Sequence, residues 1–214
     1  MTPHRELNVL LRRCQRAVKT LPDYAIAEAA LASLFHSRRK NTDAADVLVK
    51  VAALNALYAT SVLGVYRMAE HIFSHGERID CWLTQGDDRA VDRIRRVPRL
   101  LKKNGRPRDF YSFATKYCHW QEPERFPMYD QYVVHALRPV RRCLALNRVP
   151  ANALRITTVF RATLEETRSA LGWEDRGYRA LDQALWVLGQ LLNKNPRPRL
   201  SRFVGELPAY LDRP

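Results

Sequence analysis

Apolar residues recur at spacings of three and four along most of the chain, the pattern of helices with one buried face. The first run, over residues 5–20, places Leu7, Leu10, Leu11 and Cys14 on one side. No segment shows the alternation of period two that is typical of strands. The pattern therefore predicts an all-α protein of about eight to ten helices. After the first helix, we expect others over 24–38, two within 42–74, and then 88–95, 110–119, a helix from Asp130, 150–171 and 177–193.

Glycine, proline and capping residues predict where these helices begin and end. The long segment 42–74 is expected to break near Ala59–Ser61, and Gly76 is expected to act as a C-terminal stop after it. Asp130 is expected to cap a helix that Pro139 ends or kinks. Pro22 and Asp23 mark the start of the second helix.

The predicted architecture is a helical bundle of two small lobes around a cleft. Residues 1–194 are expected to form one domain, with 1–40 plus 140–194 in one lobe and 41–139 in the other. Residues 195–214 contain four prolines and are expected to form an irregular tail. Within that tail, Phe203, Val204 and Leu207 are candidates for docking on the body.

The charge of the chain points to a polyanionic partner. There are 36 Lys and Arg against 22 Asp and Glu, a net charge of +14, and nucleic acid is the commonest polyanion that such a protein meets. The four cysteines form no C-x-x-C pair, so we expect no zinc or iron–sulfur site, no disulfide and a reducing cytoplasm. No apolar run is long enough for a membrane span. We expect no cofactor.

The strongest local cluster of charge covers residues 93–108, which hold eight Lys and Arg and no acid. We call this segment the basic stripe. Pro98, Gly105 and Pro107 make it loop-like, and flexible cations of this kind can follow a phosphate backbone. An ordinary solvated loop is the alternative. The residues expected to contact DNA phosphates here are Arg95, Arg96, Arg99, Lys102, Lys103, Arg106 and Arg108.

The stripe leads into a lysine, Lys116, on an aromatic-rich helix, and Asp130 follows fourteen residues later. In an enzyme that breaks the C1′–N bond of a nucleotide, a carboxylate stabilises the cationic transition state or orients water. A lysine amine can instead attack C1′ and form a Schiff base. Asp130 is also explained as an ordinary N-cap, which is the more common role of an isolated Asp at a helix start.

Around these two residues the sequence resembles the helix-hairpin-helix DNA glycosylases, in particular the 8-oxoguanine glycosylase-like branch. In that family a catalytic Lys is followed by a connector of the form V-P-V-D-x-H-V. Here Lys116 is followed by F-P-M-Y-D-Q-Y-V, in which Asp130 is the aspartate. The segment from Val47 through Asn55 to Thr60 is similar to the family's substrate-side helix, and 178–189 resembles a C-terminal element of related bacterial proteins, some linked to phage defence.

The resemblance covers about residues 43–190, with two departures. No L-P-G-V-G hairpin precedes Lys116, and the spacing from Lys116 to Asp130 is shorter than in the family. The backbone-binding role of the hairpin would therefore pass to the basic stripe or to Ser112 and Thr115. The resemblance implies a glycosylase-like fold with Lys116 and Asp130 as the catalytic residues.

A flipped base also requires a pocket with stacking and edge-reading groups. Asn55 is the best clue to it, because a polar amide inside an apolar helical run needs partners. Other candidates have ordinary explanations as well, with Trp186 as helix core and His119 as a satisfied histidine. The expected pocket residues are Asn55, Tyr58, His119, Trp120, Tyr129, Asp182 and Trp186.

These features predict a monomeric, metal-independent DNA glycosylase of the cytoplasm that acts on double-stranded DNA. Its substrate would be an oxidised purine or a hypermodified phage base. The alternative is a nucleic-acid-binding protein that has this fold without the activity. A third hypothesis is an interaction module for an acidic protein. His71 and His75 are four residues apart, but no third metal ligand is evident.

Overall fold

The computed structural model describes residues 3–98, 100–101, 104–105, 107–193, 198–204, 207–208 and 211. Within these residues the chain is helical and has no strand, which confirms the all-α prediction. The first six helices are α1 (Pro3–Ala17), α2 (Pro22–Ser37), α3 (Ala44–Tyr58), α4 (Val65–Phe73), α5 (Gly76–Gln85) and α6 (Arg89–Arg95). The other five are α7 (Tyr111–Gln121), α8 (Gln131–Cys143), α9 (Thr157–Ala170), α10 (Tyr178–Leu191) and α11 (Pro198–Val204).

The chain divides into two compact units. The terminal unit combines Met1–Ile26 with Tyr129–Pro214, and the central unit is Ala27–Met128. The sequence suggested boundaries at residues 40 and 139 instead, so both boundaries lie more than ten residues earlier in the structure. Among the described helices, none is long and apolar enough to cross a membrane.

The terminal unit is built on α10, which packs against α1 and α8. Its core is apolar and includes Leu7, Leu11, Phe160 and the fully buried Trp173. The approach of α10 to α8 is close at Gly189, where a Cβ atom would lie 2.0 Å from the carbonyl oxygen of Tyr132. A side chain at that position would therefore separate the two helices.

In the central unit, α3 packs on α4 and α7, and α6 packs on α7. Asp43 caps α3, since its carboxylate accepts the N–H of Asp46 at 2.9 Å. The predicted break after α3 is confirmed, because Ala59 and Ser61 both have positive φ angles of 48° and 58°. Few non-glycine residues adopt this conformation, so the turn between α3 and α4 has a defined shape.

Three expectations about the helix ends and the tail are corrected. Gly76 begins α5 rather than stopping a helix. Only glycine fits at this start, because a Cβ atom there would lie 2.1 Å from the carbonyl oxygen of Asn41. Pro139 does not end α8, which continues to Cys143, since the buried residues on both sides of the proline hold the helix in the core. Part of the tail is helical rather than irregular, and Leu200 of α11 is fully buried.

Candidate functional site

The candidate lysine lies on α7, and the chain before α7 is fixed by an ion pair. Arg95 donates from Nε and Nη2 to both oxygens of Asp109, at 2.8 and 2.7 Å, and its guanidinium lies 4.3 Å from the centre of the Tyr111 ring. The N–H of Phe110 donates to the Arg95 carbonyl at 3.0 Å. Arg95 is buried, so the expectation that it contacts phosphate is corrected. Instead, the ion pair of Arg95 with Asp109 joins the two ends of the basic stripe.

Beyond Arg95, described residues of the stripe are hydrogen-bonded to one another. The Arg108 N–H donates to the Leu100 carbonyl at 2.9 Å, and Leu101 and Pro107 form an antiparallel bridge. Arg96 is exposed and Arg108 is partly exposed, as phosphate contact requires. Four of the predicted phosphate contacts lie outside the described residues, namely Arg99, Lys102, Lys103 and Arg106.

The Lys116 side chain is buried, with 2% of its surface exposed. Its amine donates to the hydroxyl of Ser112 at 2.8 Å and lies 5.6 Å from the centre of the Tyr58 ring. Ser112 is partly exposed, so the hydroxyl that accepts from the amine lies near the surface. Thr115 is 1% exposed and donates to the Ser112 carbonyl at 3.2 Å. Its burial excludes direct contact with a phosphate, which corrects that expectation.

His119 lies one turn after Lys116 and is buried. Its Nδ1 forms a 2.7 Å hydrogen bond with the Phe126 carbonyl. Burial lowers the pKa of His119 to about 4, with the positive charge of Lys116 a smaller cause. The neutral ring therefore holds the connector that follows α7, and its satisfied, buried position corrects the expectation that it reads a base. Trp120 is partly exposed, with its ring 6.4 Å from that of Phe35.

The Asn55 amide is used by the turn between α3 and α4. Its oxygen accepts from the Thr60 hydroxyl and from the Val62 N–H, both at 2.9 Å, and its nitrogen donates to the Val62 carbonyl at 3.1 Å. These bonds give Asn55 a structural role in the turn, and the expectation that it reads a base edge stays a prediction. Two large side chains next to these bonds are exposed, since Leu63 in the turn is 85% exposed and Tyr66 at the start of α4 is 70% exposed.

The candidate aspartate lies in the terminal unit, where it caps α8 as predicted. The Asp130 carboxylate accepts the N–H of Tyr132 at 2.9 Å and is partly exposed. The ring before it, Tyr129, lies 5.4 Å from Phe160 in an edge-on arrangement and 5.9 Å from the Arg155 guanidinium.

The two predicted pocket residues on α10 also have partners within the terminal unit. Asp182 is buried and pairs with Arg179 at 3.1 Å. Trp186 packs on Tyr24, with ring centres 5.3 Å apart. These contacts favour the interpretation of both residues as parts of the fold. The seven predicted pocket residues are thus divided, with four in the central unit and three in the terminal unit.

A buried polar network around Asn41 was missed by the sequence analysis. The Asn41 side-chain oxygen accepts from Lys50, Tyr117 and Gln121, at 2.8, 2.6 and 3.1 Å. The amide nitrogen of Asn41 donates to Asp80 at 2.7 Å. The one signal in the sequence was a lysine within the apolar run V-L-V-K-V-A-A-L.

The pair His71 and His75 is explained by backbone hydrogen bonds. His71 Nε2 lies 2.9 Å from the Arg93 carbonyl, and His75 Nδ1 lies 2.9 Å from the His71 carbonyl. Burial lowers the pKa of His71. Among the residues that the structure describes, no three His, Cys, Asp or Glu side chains cluster as a metal site would require.

Comparison with known proteins gives a family for the chain. An uncharacterized protein of Haemophilus influenzae is 28% identical over 144 residues, which are 67% of this chain. The match spans 66% of that protein's length. No solved structure is significantly similar to the chain. The model of the HI_0787_N family, an N-terminal domain, matches residues 8–125, more than half of the chain and inclusive of Lys116. The chain therefore belongs to the HI_0787_N family.

Proposed function

We propose that this protein is a DNA glycosylase that flips a damaged or modified base out of double-stranded DNA and hydrolyses its N-glycosidic bond. It would act as a monomer in the cytoplasm, without a cofactor. The observation that carries the proposal is the setting of Lys116. A buried lysine whose amine is hydrogen-bonded to a partly exposed serine, on a helix preceded by the basic stripe, is well suited to chemistry on DNA.

In the proposed reaction the C1′–N bond breaks and its electron pair leaves with the base. The Asp130 carboxylate stabilises the positive charge on the sugar, or it accepts a proton from the water whose oxygen bonds to C1′. The departing base takes up a proton, and an abasic site remains. Capping holds Asp130 in one orientation, because its carboxylate is bound to the start of α8.

Lys116 has two possible roles in this scheme. As a nucleophile, its neutral amine would attack C1′, the sugar ring would open, and an imine would link the lysine to DNA. As an electrostatic partner, it would remain protonated and balance the charge of the DNA phosphates. Ser112, which accepts the hydrogen bond of the amine, would position it in either role.

DNA binding is supported by the net charge of +14 and by the exposed cations of the stripe. Arg96 and Arg108 flank a loop whose base is fixed by the Arg95–Asp109 ion pair, so its position is set by the folded unit. The exposed side chains of Leu63 and Tyr66 are a second candidate contact with DNA. Proteins that bind the minor groove insert apolar side chains between base steps.

A nucleic-acid-binding protein without catalytic activity is the second candidate. The observation that favours it is the Asn55 side chain, whose oxygen and nitrogen hold a turn rather than a base. Its basic surface would then serve binding alone.

If the protein is a glycosylase, its substrate would be an oxidised purine or a hypermodified base, with phage DNA as one source of the latter.

The test is release of bases by the purified protein from a panel of DNA substrates. The panel holds 8-oxoguanine and uracil duplexes, single strands, and phage DNA with hydroxymethylated or glucosylated cytosine. Abasic sites are scored by alkaline cleavage, and borohydride traps any imine as a covalent adduct.

The matched variants are Lys116→Met and the exposed Lys19→Met. Loss of the trapped adduct in Lys116→Met alone would assign the nucleophile. Abasic sites without an adduct would assign the electrostatic role. Tight DNA binding with no abasic site on any substrate would refute the glycosylase and support the binding protein.

A further inference from the structure

The terminal unit contains a cavity that the proposed chemistry does not use. It has a volume of about 680 Å³ and lies between α8, the segment after α8, and Thr163 of α9. Pockets of this size hold small organic molecules. Neither Lys116 nor Asp130 lines it, although Gln131, the neighbour of Asp130, does.

One face of α8 forms the first wall of the cavity. Gln131, Val134, Arg138 and Arg142 line it at the three- and four-residue spacings that bring side chains onto one side of a helix. The residues on the opposite face of α8, such as Val133 and Val140, are fully buried in the core. The cavity wall is therefore the outward face of a helix that the core holds in place.

The second wall is braced by a buried arginine. Arg141 is 3% exposed, and its Nε and Nη2 donate to the Asn147 carbonyl at 3.0 and 2.8 Å. Its Nη1 donates to the Thr163 carbonyl and the Thr167 hydroxyl, and Nη2 also pairs with Glu166 at 2.5 Å. One guanidinium thus joins α8, the segment after it and α9, so the cavity is built before any ligand arrives.

The lining is cationic and apolar at once. Arg138, Arg142 and Arg148 are exposed, and no Asp or Glu is among the residues that line the cavity. Guanidinium groups match the oxygens of phosphate in pairs. The remaining walls are largely apolar, with Val134, Leu137, Leu146, Val149 and Leu154. Such walls favour the flat or apolar body of a ligand, whereas inorganic phosphate would leave them uncovered.

We propose that this cavity, lined by Arg138, Arg142 and Arg148, is a nucleotide-binding site that takes the phosphate on its arginines and the base on its apolar wall. The nucleotide comes either free, as a monophosphate, or as one unit of a nucleic acid strand. Both share the same phosphate and base, and the experiment distinguishes them.

Binding to the full chain is measured by titration calorimetry with each of the four nucleoside 5′-monophosphates, adenosine, inorganic phosphate and a short single-stranded oligonucleotide. At least one nucleotide is expected to bind at a single site. Adenosine and inorganic phosphate are expected to bind at least about tenfold more weakly, because each lacks half of the contacts.

The variant is Arg148→Glu, and its matched control is Arg13→Glu, an exposed residue of α1 in the same unit. Arg148→Glu is expected to lower the affinity at least about tenfold, and Arg13→Glu less than about twofold. A second variant, Ala151→Trp, fills the cavity without a change of charge and is expected to weaken binding as well. Both positions are exposed, and circular dichroism checks that the variants fold.

If only the oligonucleotide binds and Arg148→Glu alone weakens it, the site takes a nucleotide unit of a strand. If neither the monophosphates nor the oligonucleotide binds, the proposal is overturned. Equal losses in Arg148→Glu and Arg13→Glu would overturn it too, because they would show a response to overall charge. Base release is measured in a separate assay with Lys116→Met and Asp130→Asn, neither of which lines the cavity, so the two proposals can fail separately.

Discussion

The central unit buries two lysines, Lys50 on α3 and Lys116 on α7, and their amines have different partners. Lys50 is fully buried and donates to the Lys40 carbonyl and the Asn41 side chain at 3.0 and 2.8 Å. The ring of Tyr117 lies 5.6 Å from its amine. The amine of Lys116 donates to Ser112, which is partly exposed.

The difference shows that burial alone does not identify a functional lysine. Lys50 donates to Asn41, which is 0% exposed and also accepts from Tyr117 and Gln121, so the centre of this network is buried. The Ser112 hydroxyl that accepts from Lys116 belongs to a partly exposed residue. Because Lys116 and Tyr117 are adjacent in sequence, α7 carries both a residue of the buried network and the candidate catalytic lysine.

The largest effect is expected at Asn41, the centre of the buried polar network. Asn41→Leu removes the side-chain acceptor of Lys50, Tyr117 and Gln121 and leaves the buried ammonium with the Lys40 carbonyl. The free energy of unfolding should fall by about 3–5 kcal/mol. Urea unfolding measures it, with the exposed Asn152→Ala as the control. A loss below about 1 kcal/mol would show that the network contributes little.

A smaller effect is expected at His119, which lies on α7 one turn after Lys116. Its pKa is about 4 in the folded protein and near 6.5 in the unfolded chain. The unfolded state therefore binds the proton more tightly, and stability falls as the pH drops from about 6.5 towards 4. The expected loss between pH 7 and 4.5 is about 2 kcal/mol. His119→Gln should reduce this loss, whereas the exposed His36→Asn should not.

A weaker dependence on alkaline pH is expected at Lys50. Burial lowers its pKa from 10.5 to about 8. Above pH 8 the unfolded chain keeps the proton that the folded protein has lost, so the free energy of unfolding rises with pH. The gain between pH 7 and 9 is about 1 kcal/mol. Urea unfolding at these two pH values should show a smaller rise in Lys50→Met than in Lys19→Met. Identical slopes would remove Lys50 as the cause.

The smallest effect on stability is expected at Lys116. Met fills a similar volume and removes the need to solvate an ammonium, so Lys116→Met should change the free energy of unfolding by less than about 1 kcal/mol. A loss comparable to that of Asn41→Leu would instead show that Lys116 stabilises the fold, and the contrast between Lys50 and Lys116 would disappear. Urea unfolding at pH 7 makes the comparison.

Local signals in the sequence were sufficient for most of the helices, but not for α5 and α11, which were not predicted. The helix predicted over 88–95 is Arg89–Arg95, the break at Ala59–Ser61 is a turn with two positive φ angles, and Asp130 caps α8. Each depends on residues close in sequence, where capping and periodicity act. The apolar core of the terminal unit follows from the same periodicity.

The polar contacts were not predictable in this way, because their partners are distant in the chain. Tyr117 and Asn41 are 76 residues apart, and nothing in the spacing joins them. The ion pair of Arg95 with Asp109 depends in the same way on how the folded loop brings its ends together. The partners of Asn55 are near in sequence, but they face it only because of the shape of the turn after α3. From the sequence, Arg95 within the basic stripe and Asn55 within an apolar helix were therefore predicted to bind DNA, and only the structure shows their partners in the protein.

The measurement that tests the central claim most directly is the rate of base release by Asp130→Asn, on the best substrate of the panel, beside the affinity of the same variant for DNA. Asp43→Asn is the matched control, since Asp43 is also an N-cap whose carboxylate accepts a backbone N–H. Asn caps a helix as well as Asp does, so both variants should fold and bind DNA like the wild type. The account predicts that Asp130→Asn alone slows base release by about 100-fold or more. Equal rates in both variants would contradict it.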